Sequence, residues 1–534
     1  MFISSARLVS LVILTCGVLM PLFLSKNIDR MDLPTYLDSA MNKVLSADLS
    51  HLSRASDYDT SWAARLINED RSLAYPHLIH WLTKRQNPDG SWGGRIPYAH
   101  DRLLSTLAVV LLLGRLGHRQ RYHEQRSAAE RYISRQAGDL QQDIEPTAGF
   151  ELILPALLEE AHGLGLNLPY AELHGYREAR AEKLSILPTQ RLFETRTTAL
   201  FSLEAFGGSI DVEVAASLLS DNGSMVDSPS ATAWLLGQFS NWRARFPQSA
   251  VYLKESMSRT GRGLPVVAPC GIFLRAWVLY YLYGYSGSSS DREAKSRPHY
   301  DYLCKHWRPH GVGSSPFALR DSDDTSMVLL VLHRAGYEVD GSCLLTYERD
   351  DHFAVFDHEL HTSISANLHI LEALETLPDK DRARVRDKIL SYVLDAQEQD
   401  GYCWRDKWHA SVYFATSHAL MALLPHAPDE LSGTASWLLA TQRADGSWGE
   451  YVPTAEETAL TLLALLHYHR ACRSLPREPL RRAAQYLLLN ELPFKDDYPE
   501  LWIAKALYVP TCVVRSIILA SLSIYQDTFG DLIS

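Results

Sequence analysis

Gln86-Asn87-Pro88-Asp89-Gly90-Ser91-Trp92 returns late in the chain as Gln442-Arg443-Ala444-Asp445-Gly446-Ser447-Trp448. A looser copy runs from Gln397 through Asp400-Gly401 to Trp404, and a remnant stands at Asp221-Asn222-Gly223-Ser224. In the full copies Asp-Gly supplies a tight turn, the Gln amide is suited to satisfy helix-end groups, and Trp packs the junction. The flanks are helical: Leu103, Leu107 and Leu111 share one face, as do Leu460, Leu463 and Leu466. Alternating strand patterns are scarce. The copies beginning at Gln397 and Gln442 lie 45 residues apart, the span of one helix pair. The expected fold class is therefore all-α, built from αα-hairpins that close into barrels.

Length and composition narrow the function. A chain of 534 residues is long enough for two or three domains, and 46% hydrophobic residues are ample for their cores. The formal net charge of -11 excludes a general nucleic-acid binder, which needs a basic face. Twelve Trp and 26 Tyr are core filler in most chains, and they are also what a pocket handling carbocations requires. The seven cysteines are scattered without a C-x-x-C, as in a reduced cytoplasmic protein. Leu8 to Leu24 is apolar, flanked by Arg7 and Lys26 and broken by Pro21. Its length lies between a signal-peptide core and a minimal membrane span, which leaves N-terminal membrane association open. The reading preferred is an upstream extension over 1–30, with the folded chain starting at Met31.

Asp321-Ser322-Asp323-Asp324-Thr325 precedes the apolar run Met327-Val328-Leu329-Leu330. Such a cluster can simply cap a helix, because the N-terminal dipole and free N–H groups favour negative charge. It can also do chemistry. Three carboxyls within four residues cannot all ionise cheaply, which keeps a proton in the cluster near neutral pH.

Taken with the repeats, this stretch resembles the DxDD acid motif of class II terpene cyclases and squalene–hopene cyclases. Other segments agree in order with the diterpene branch. They are Ser56-Asp57-Tyr58-Asp59-Thr60-Ser61-Trp62, Asp101 to Ala108, Gly149-Phe150-Glu151, Ser228 to Ala231, Asp406-Lys407-Trp408-His409, Thr454 to Ala459, and Leu501-Trp502-Ile503-Ala504-Lys505. The resemblance spans about residues 33 to 520 and is nearest to bacterial halimadienyl and copalyl-type diphosphate synthases. It implies a βγ architecture of two α-barrels: a first β-domain helix within 31–55, a γ domain over 56–270 and the rest of the β domain over 271–534.

It also implies a reaction. Asp323 would protonate the terminal alkene of geranylgeranyl diphosphate, with farnesyl diphosphate as the alternative substrate, and give a bicyclic diphosphate. Asp321 and Asp324 would support Asp323, and Asn367 would hold it in orientation, although an ordinary cap role for Asn367 stays open. Asp143 and Glu145 stand where the family's acidic Mg²⁺ segment lies, and their oxygens suit that ion. A solvated acidic loop is the plainer reading of the same pair. Lys407 would contact the diphosphate as a point charge, with Trp408 beside it. A downstream class I synthase or phosphatase could then act on the product. Phe201 and Val266 stand where the plant copalyl branch has a water-holding His and Asn. Neither replacement accepts a proton, so the bicyclic cation would rearrange before it is quenched.

Other readings fare worse. Asp496-Asp497-Tyr498-Pro499-Glu500 imitates a class I metal motif, but Pro499 breaks the helix that motif needs. His358-Glu359-Leu360-His361 lacks zinc spacing, and no phosphate-cradling G-x-x-x-x-G-K-[ST] occurs. A triterpene cyclase and a non-catalytic αα-barrel module are the remaining alternatives. The few repeats count against the first, and the acid motif against the second.

Overall fold

The repeated turns clasp successive helices. In the computed structural model, which describes residues 33–116, 121–138, 140, 145–186, 194–283, 290–357, 359, 361–398, 400–492, 494–495 and 497–530, Trp92 and Trp448 are wholly buried. The indole N–H of Trp92 donates to the Leu82 carbonyl at the end of the preceding outer helix, at 2.8 Å, and that of Trp448 to Leu438, at 2.7 Å. Their backbone N–H groups donate to Thr106 and Thr458 in the next inner helix. Trp404 and Met225 repeat this last bond with Thr416 and Thr232. The Gln side chains act differently from the helix-end role expected of them. Gln86 Nε2 donates to Gly90 O within its own turn and to Gln125 O on the following outer helix, and Gln442 does the same with Gly446 O and Pro479 O. Each repeat thus ties two outer helices and one inner helix together.

The inner helices form two closed rings. In the first, helix Asp57–Ala63 packs on Ala99–Arg115, then come Phe150–Gly163, the 3-10 helix Thr198–Ala205 and Pro229–Leu236, which returns to Asp57–Ala63. In the second the order is Gly271–Leu282, Ser322–Arg334, Ile364–Glu372, Val412–Leu423, Ala455–Ala471 and Thr511–Phe529, which closes on Gly271–Leu282. Helix Leu33–Leu45 packs on Thr511–Phe529 and Ser290–His306, so the first described helix joins the last. The fold is all-α, as the repeat period requires. Its one sheet among the described residues is a short antiparallel pair, Trp502–Ile503 with Leu507–Tyr508.

Most inner helices begin on a Ser, Thr or Asp whose side chain accepts a hydrogen bond from the first turn: Ser56, Ser228, Asp321, Ser363, Ser411 and Thr454. A helix start buried away from water leaves orphan N–H groups, and each such cap contributes about 1 kcal/mol. The capped ends of the second ring meet one another. Ser363 Oγ donates to Asp406 in the loop before Val412–Leu423, and Ser411 Oγ donates to Glu457 on the next helix, at 2.8 and 2.5 Å.

The hairpin connects the two rings. Lys505, with none of its surface exposed, donates from Nζ to Phe201 O at 2.6 Å, Glu204 Oε1 at 2.8 Å and Ser228 Oγ at 2.7 Å, and also to Ser230 Oγ. Ala148 N–H donates to Ala504 O, and Leu507 N–H to the Asp101 carboxylate. Among the described residues no helix is long and apolar enough to cross a membrane. The apolar stretch Leu8 to Leu24 lies outside them.

Candidate active site

Asp323 is the second residue of helix Ser322–Arg334, in the first turn after a cap that fixes its neighbours. Asp321 Oδ1 accepts the Asp324 N–H at 2.7 Å, so the first carboxyl of the motif does serve as a cap. Burial, reinforced by Asp324 and Asp323, holds the Asp321 carboxyl well above the usual carboxylate range. Burial and the Asp323 charge push Asp324 up to about 7. The flanking carboxyls therefore keep protons near neutral pH and add little negative charge beside Asp323.

The group that holds Asp323 is His369, a residue for which the sequence suggested no role. Its Nδ1 lies 2.5 Å from Asp323 Oδ1, and its side chain is completely buried. Burial alone would strip the imidazole of charge. The adjacent Asp323 carboxylate more than offsets that, and the His369 pKa rises. His369 is flanked by the Trp277 and His418 rings at 5.1 and 5.3 Å.

The expectation for Asn367 is corrected. Both its amide hydrogens are used on the Phe353 and Ser363 carbonyls, at 2.9 and 2.8 Å, and its oxygen accepts the Phe353 N–H at 2.9 Å. It fastens the Phe353 loop to the start of its helix and makes no hydrogen bond to Asp323. Residues 367 and 369 point to different sides of one helix, so the sequence signal lay two residues from the functional side chain.

An aromatic wall extends from His369. Trp277 stands edge-on to Trp502 at 5.1 Å, and Trp502 packs on Phe273 at 5.5 Å and Phe414 at 5.2 Å. Such faces stabilise cations that pass over them.

A second polar region gathers around the Asp406-Lys407-Trp408-His409 segment. The Asp406 carboxylate accepts from Ser363 Oγ, from Ser365 N and Oγ, and from Trp408 N, all within 3.0 Å. That arrangement sets the direction of Lys407 and Trp408. Lys407 Nζ is ion-paired to Glu359 and donates to the His361 carbonyl, and it lies 4.9 Å over the Trp408 ring. Lys407 therefore already has an anionic partner, which a diphosphate would have to share or displace.

Glu145 belongs to the same region. Burial and then the Asp406 charge raise its carboxyl pKa, while Lys407 and Arg405 pull it down. His361 Nε2 stands 3.9 Å from Glu151. Asp143 lies outside the described residues. Among the described residues no three His, Cys, Asp or Glu side chains form a ready-made metal cage.

The remaining expected positions lie where the rings meet. Phe201 is half-buried in the 3-10 helix Thr198–Ala205, its ring centre 4.7 Å from Lys505 Nζ. Val266 is buried in the loop between Leu264, whose N–H donates to Thr60 Oγ1, and Ala268, whose N–H donates to the Asp227 carbonyl. Lys505 was visible only as the end of a motif, because its partners are some 300 residues away in sequence: Glu204 is 301 positions distant.

Comparison with known proteins gives a consistent picture. Residues 335–488 match the family model described as "Squalene-hopene cyclase C-terminal domain". The chain is 36% identical over 493 residues to the type B diterpene cyclase of Mycobacterium tuberculosis, covering 88% of this chain and 95% of that protein. It is 30% identical over 514 residues to the (+)-kolavenyl diphosphate synthase of Herpetosiphon aurantiacus, covering 90% and 95%. The structure of ent-copalyl diphosphate synthase from Streptomyces platensis superposes with a TM-score of 0.72 at 29% identity, covering 92% of this chain and 99% of that one.

Proposed function

As the chain belongs to the class II diterpene cyclases, we propose that it protonates geranylgeranyl diphosphate at the terminal alkene and closes it into a rearranged bicyclic diphosphate. The observation that carries the proposal is the pairing of Asp323 with buried His369 inside a largely protonated carboxyl cluster. An alkene is a very weak base, so its acid must be dry and must leave a stabilised anion. Protonated Asp321 and partly protonated Asp324 repel the Asp323 carboxylate less than ionised neighbours would once it forms, and His369 Nδ1–H bonded to Oδ1 stabilises it. The other Asp323 oxygen then carries the proton to carbon. Preorganised stabilisation of this kind is commonly the largest single contribution to catalysis.

The polar region near Lys407 is assigned to the diphosphate. Glu145, with Asp143 outside the described residues, would hold Mg²⁺ together with phosphate oxygens. Its half-buried, raised carboxyl suits a hard cation, whose charge would draw the proton off. Mg²⁺ there would neutralise the diphosphate, and Lys407 would share its charge between Glu359 and the ester. With Phe201 and Val266 in place of proton acceptors, the first bicyclic cation survives to shift hydride and methyl groups.

Incubation with geranylgeranyl diphosphate and Mg²⁺, followed by phosphatase treatment and NMR of the alcohol, tests this. A halimane- or clerodane-type bicycle is expected, without release of stoichiometric pyrophosphate. An unrearranged exocyclic labdane would overturn the product assignment, and turnover of farnesyl diphosphate alone would overturn the substrate. Asp323→Asn should lower cyclisation by about 10⁴-fold. Turnover within about tenfold of wild type would remove Asp323 from its role.

A further inference from the structure

Directly across the second ring from Asp323 stands a carboxylate that the protonation step does not use. In the ring order, helix Ala455–Ala471 is opposite Ser322–Arg334, with two helices between them on either side. Thr454 caps the one by accepting the Glu457 N–H, as Asp321 caps the other by accepting the Asp324 N–H. Glu456 and Asp323 are the second residues of these two helices. Parallel inner helices place both at the same end of the barrel.

Glu456 is only 1% exposed. Its Oε1 accepts the Trp502 indole N–H at 2.7 Å and faces His409 Nε2 at 3.4 Å. His409 Nδ1 accepts the Ser411 N–H at 3.1 Å, which puts the ring proton on Nε2, towards the carboxylate. Two donors thus orient one oxygen. The other, Oε2, is buried and has no hydrogen-bond partner among the described residues. An unmatched buried carboxylate oxygen is unfavourable until something positive approaches it. Trp502, which donates to Oε1, packs on the Phe414 and Trp277 rings and so joins Glu456 to the wall that begins at His369.

Glu204 also has an oxygen without a partner, but it borders a different space. Glu204 is ion-paired to Lys505 and lines a cavity of about 510 Å³ that also holds the Arg65–Glu160 and Arg180–Glu159 ion pairs, a salt-bridged lining in place of an aromatic wall. Lys505, the group beside Phe201, has its protons committed to Glu204, Phe201 O and two serines and is no proton acceptor.

We propose that Glu456 is the terminal base of the cyclisation, taking the proton that ends the cation's rearrangement. The proposal rests on the cyclase reading above. A C–H bond next to the cationic carbon breaks, its electron pair becomes the new C=C bond, and the proton passes to Glu456 Oε2. One proton enters the skeleton from Asp323 and one leaves to Glu456, so the product is an isomer of the substrate. Until that step the Glu456 charge draws the cation into the second ring, where ring A of a bicycle protonated by Asp323 must lie. His409 and Trp502 act through Glu456 as positioning residues.

The test is Glu456→Gln, which keeps an acceptor for Trp502 and His409 and loses the base. Reactions are run with geranylgeranyl diphosphate and Mg²⁺ in D₂O, where deuterium in the cyclised skeleton reports protonation independently of termination. The variant should still form deuterated bicycles, with turnover down by about 100-fold and products diverted to other double-bond isomers or water-captured alcohols. Glu456→Asp should keep the wild-type product at reduced rate. The wild-type product from Glu456→Gln within about threefold of the normal rate would overturn the proposal. So would complete loss of deuterium incorporation in a folded variant, which would place Glu456 before protonation. Should Glu456→Gln not fold, as judged by circular dichroism, Glu456→Asp decides: a reduced rate, with the wild-type product or with added double-bond isomers, supports the base, and a rate and product ratio equal to wild type overturn it. Failure of the cyclase reading is distinct, because wild type would then consume no prenyl diphosphate, or Asp323→Asn would remain active.

Discussion

At the scale of single residues, the acid cluster links protonation to pH. Asp324 has its pKa raised in the folded state to about 7, from about 4 in an unfolded chain. A carboxyl raised in this way contributes stability that is present below pH 4 and is lost as pH rises through 7. Asp324→Asn, isosteric and permanently neutral, should therefore raise Tm more at pH 8 than at pH 5. Equal shifts at the two pH values, measured by thermal unfolding, would contradict the assignment. His369→Ala should lower kcat by about 100-fold or more with little change in KM, since it acts on the acid and not on the diphosphate. Asn367→Ala should instead lower Tm, because it strands the Phe353 backbone groups. The sequence exposed Asp321, Asp323 and Asp324 because they fall within four residues. It did not expose His369, which reads as one more helical residue in a buried run until its 2.5 Å contact with Asp323 is seen. Nor did it show that Lys407 is committed to Glu359, 48 residues away.

At the scale of elements, the repeat turns were the most legible part of the chain, because their residues meet local demands. Gly446 has φ +91°, and a Cβ there would sit 2.6 Å from the Arg482 carbonyl oxygen on the neighbouring outer helix. Gly336 has a similar φ of +83° with nothing within 4 Å of a built Cβ. Gly336→Ala should cost only the left-handed backbone penalty, about 1 kcal/mol. Gly446→Ala adds a backbone clash and should lose at least about 3 kcal/mol. Urea unfolding of the two variants measures the difference, and equal losses would show that the outer helix yields freely. What the repeats did not convey was the partner of each Gln side chain, a carbonyl on a helix that begins some forty residues on: Gln125 O lies 39 positions from Gln86 and Pro479 O 37 from Gln442.

At the scale of the whole molecule, the repeats pointed to helical barrels and the family resemblance to two of them, but neither showed what fastens them. Lys505→Met would leave Glu204, 1% exposed in its side chain, as an unpaired buried charge. The expected loss is about 3–5 kcal/mol. The double variant Lys505→Met with Glu204→Leu should lose less than the single one, since two apolar groups leave no charge stranded. Chemical denaturation of both and of Glu204→Leu completes the cycle, and additive losses would mean that the pair is not coupled.

The short hairpin has a consequence for inheritance. Trp502 forms part of the wall beside Glu456, and Lys505, three positions later, reaches the helices of the other ring. A chimera that exchanges residues 56–270 with those of a relative therefore keeps its own lysine and meets a foreign socket. Only donors supplying a matching glutamate and paired serines should yield an assembled enzyme, so the lineages able to recombine at this seam can be recognised from three positions.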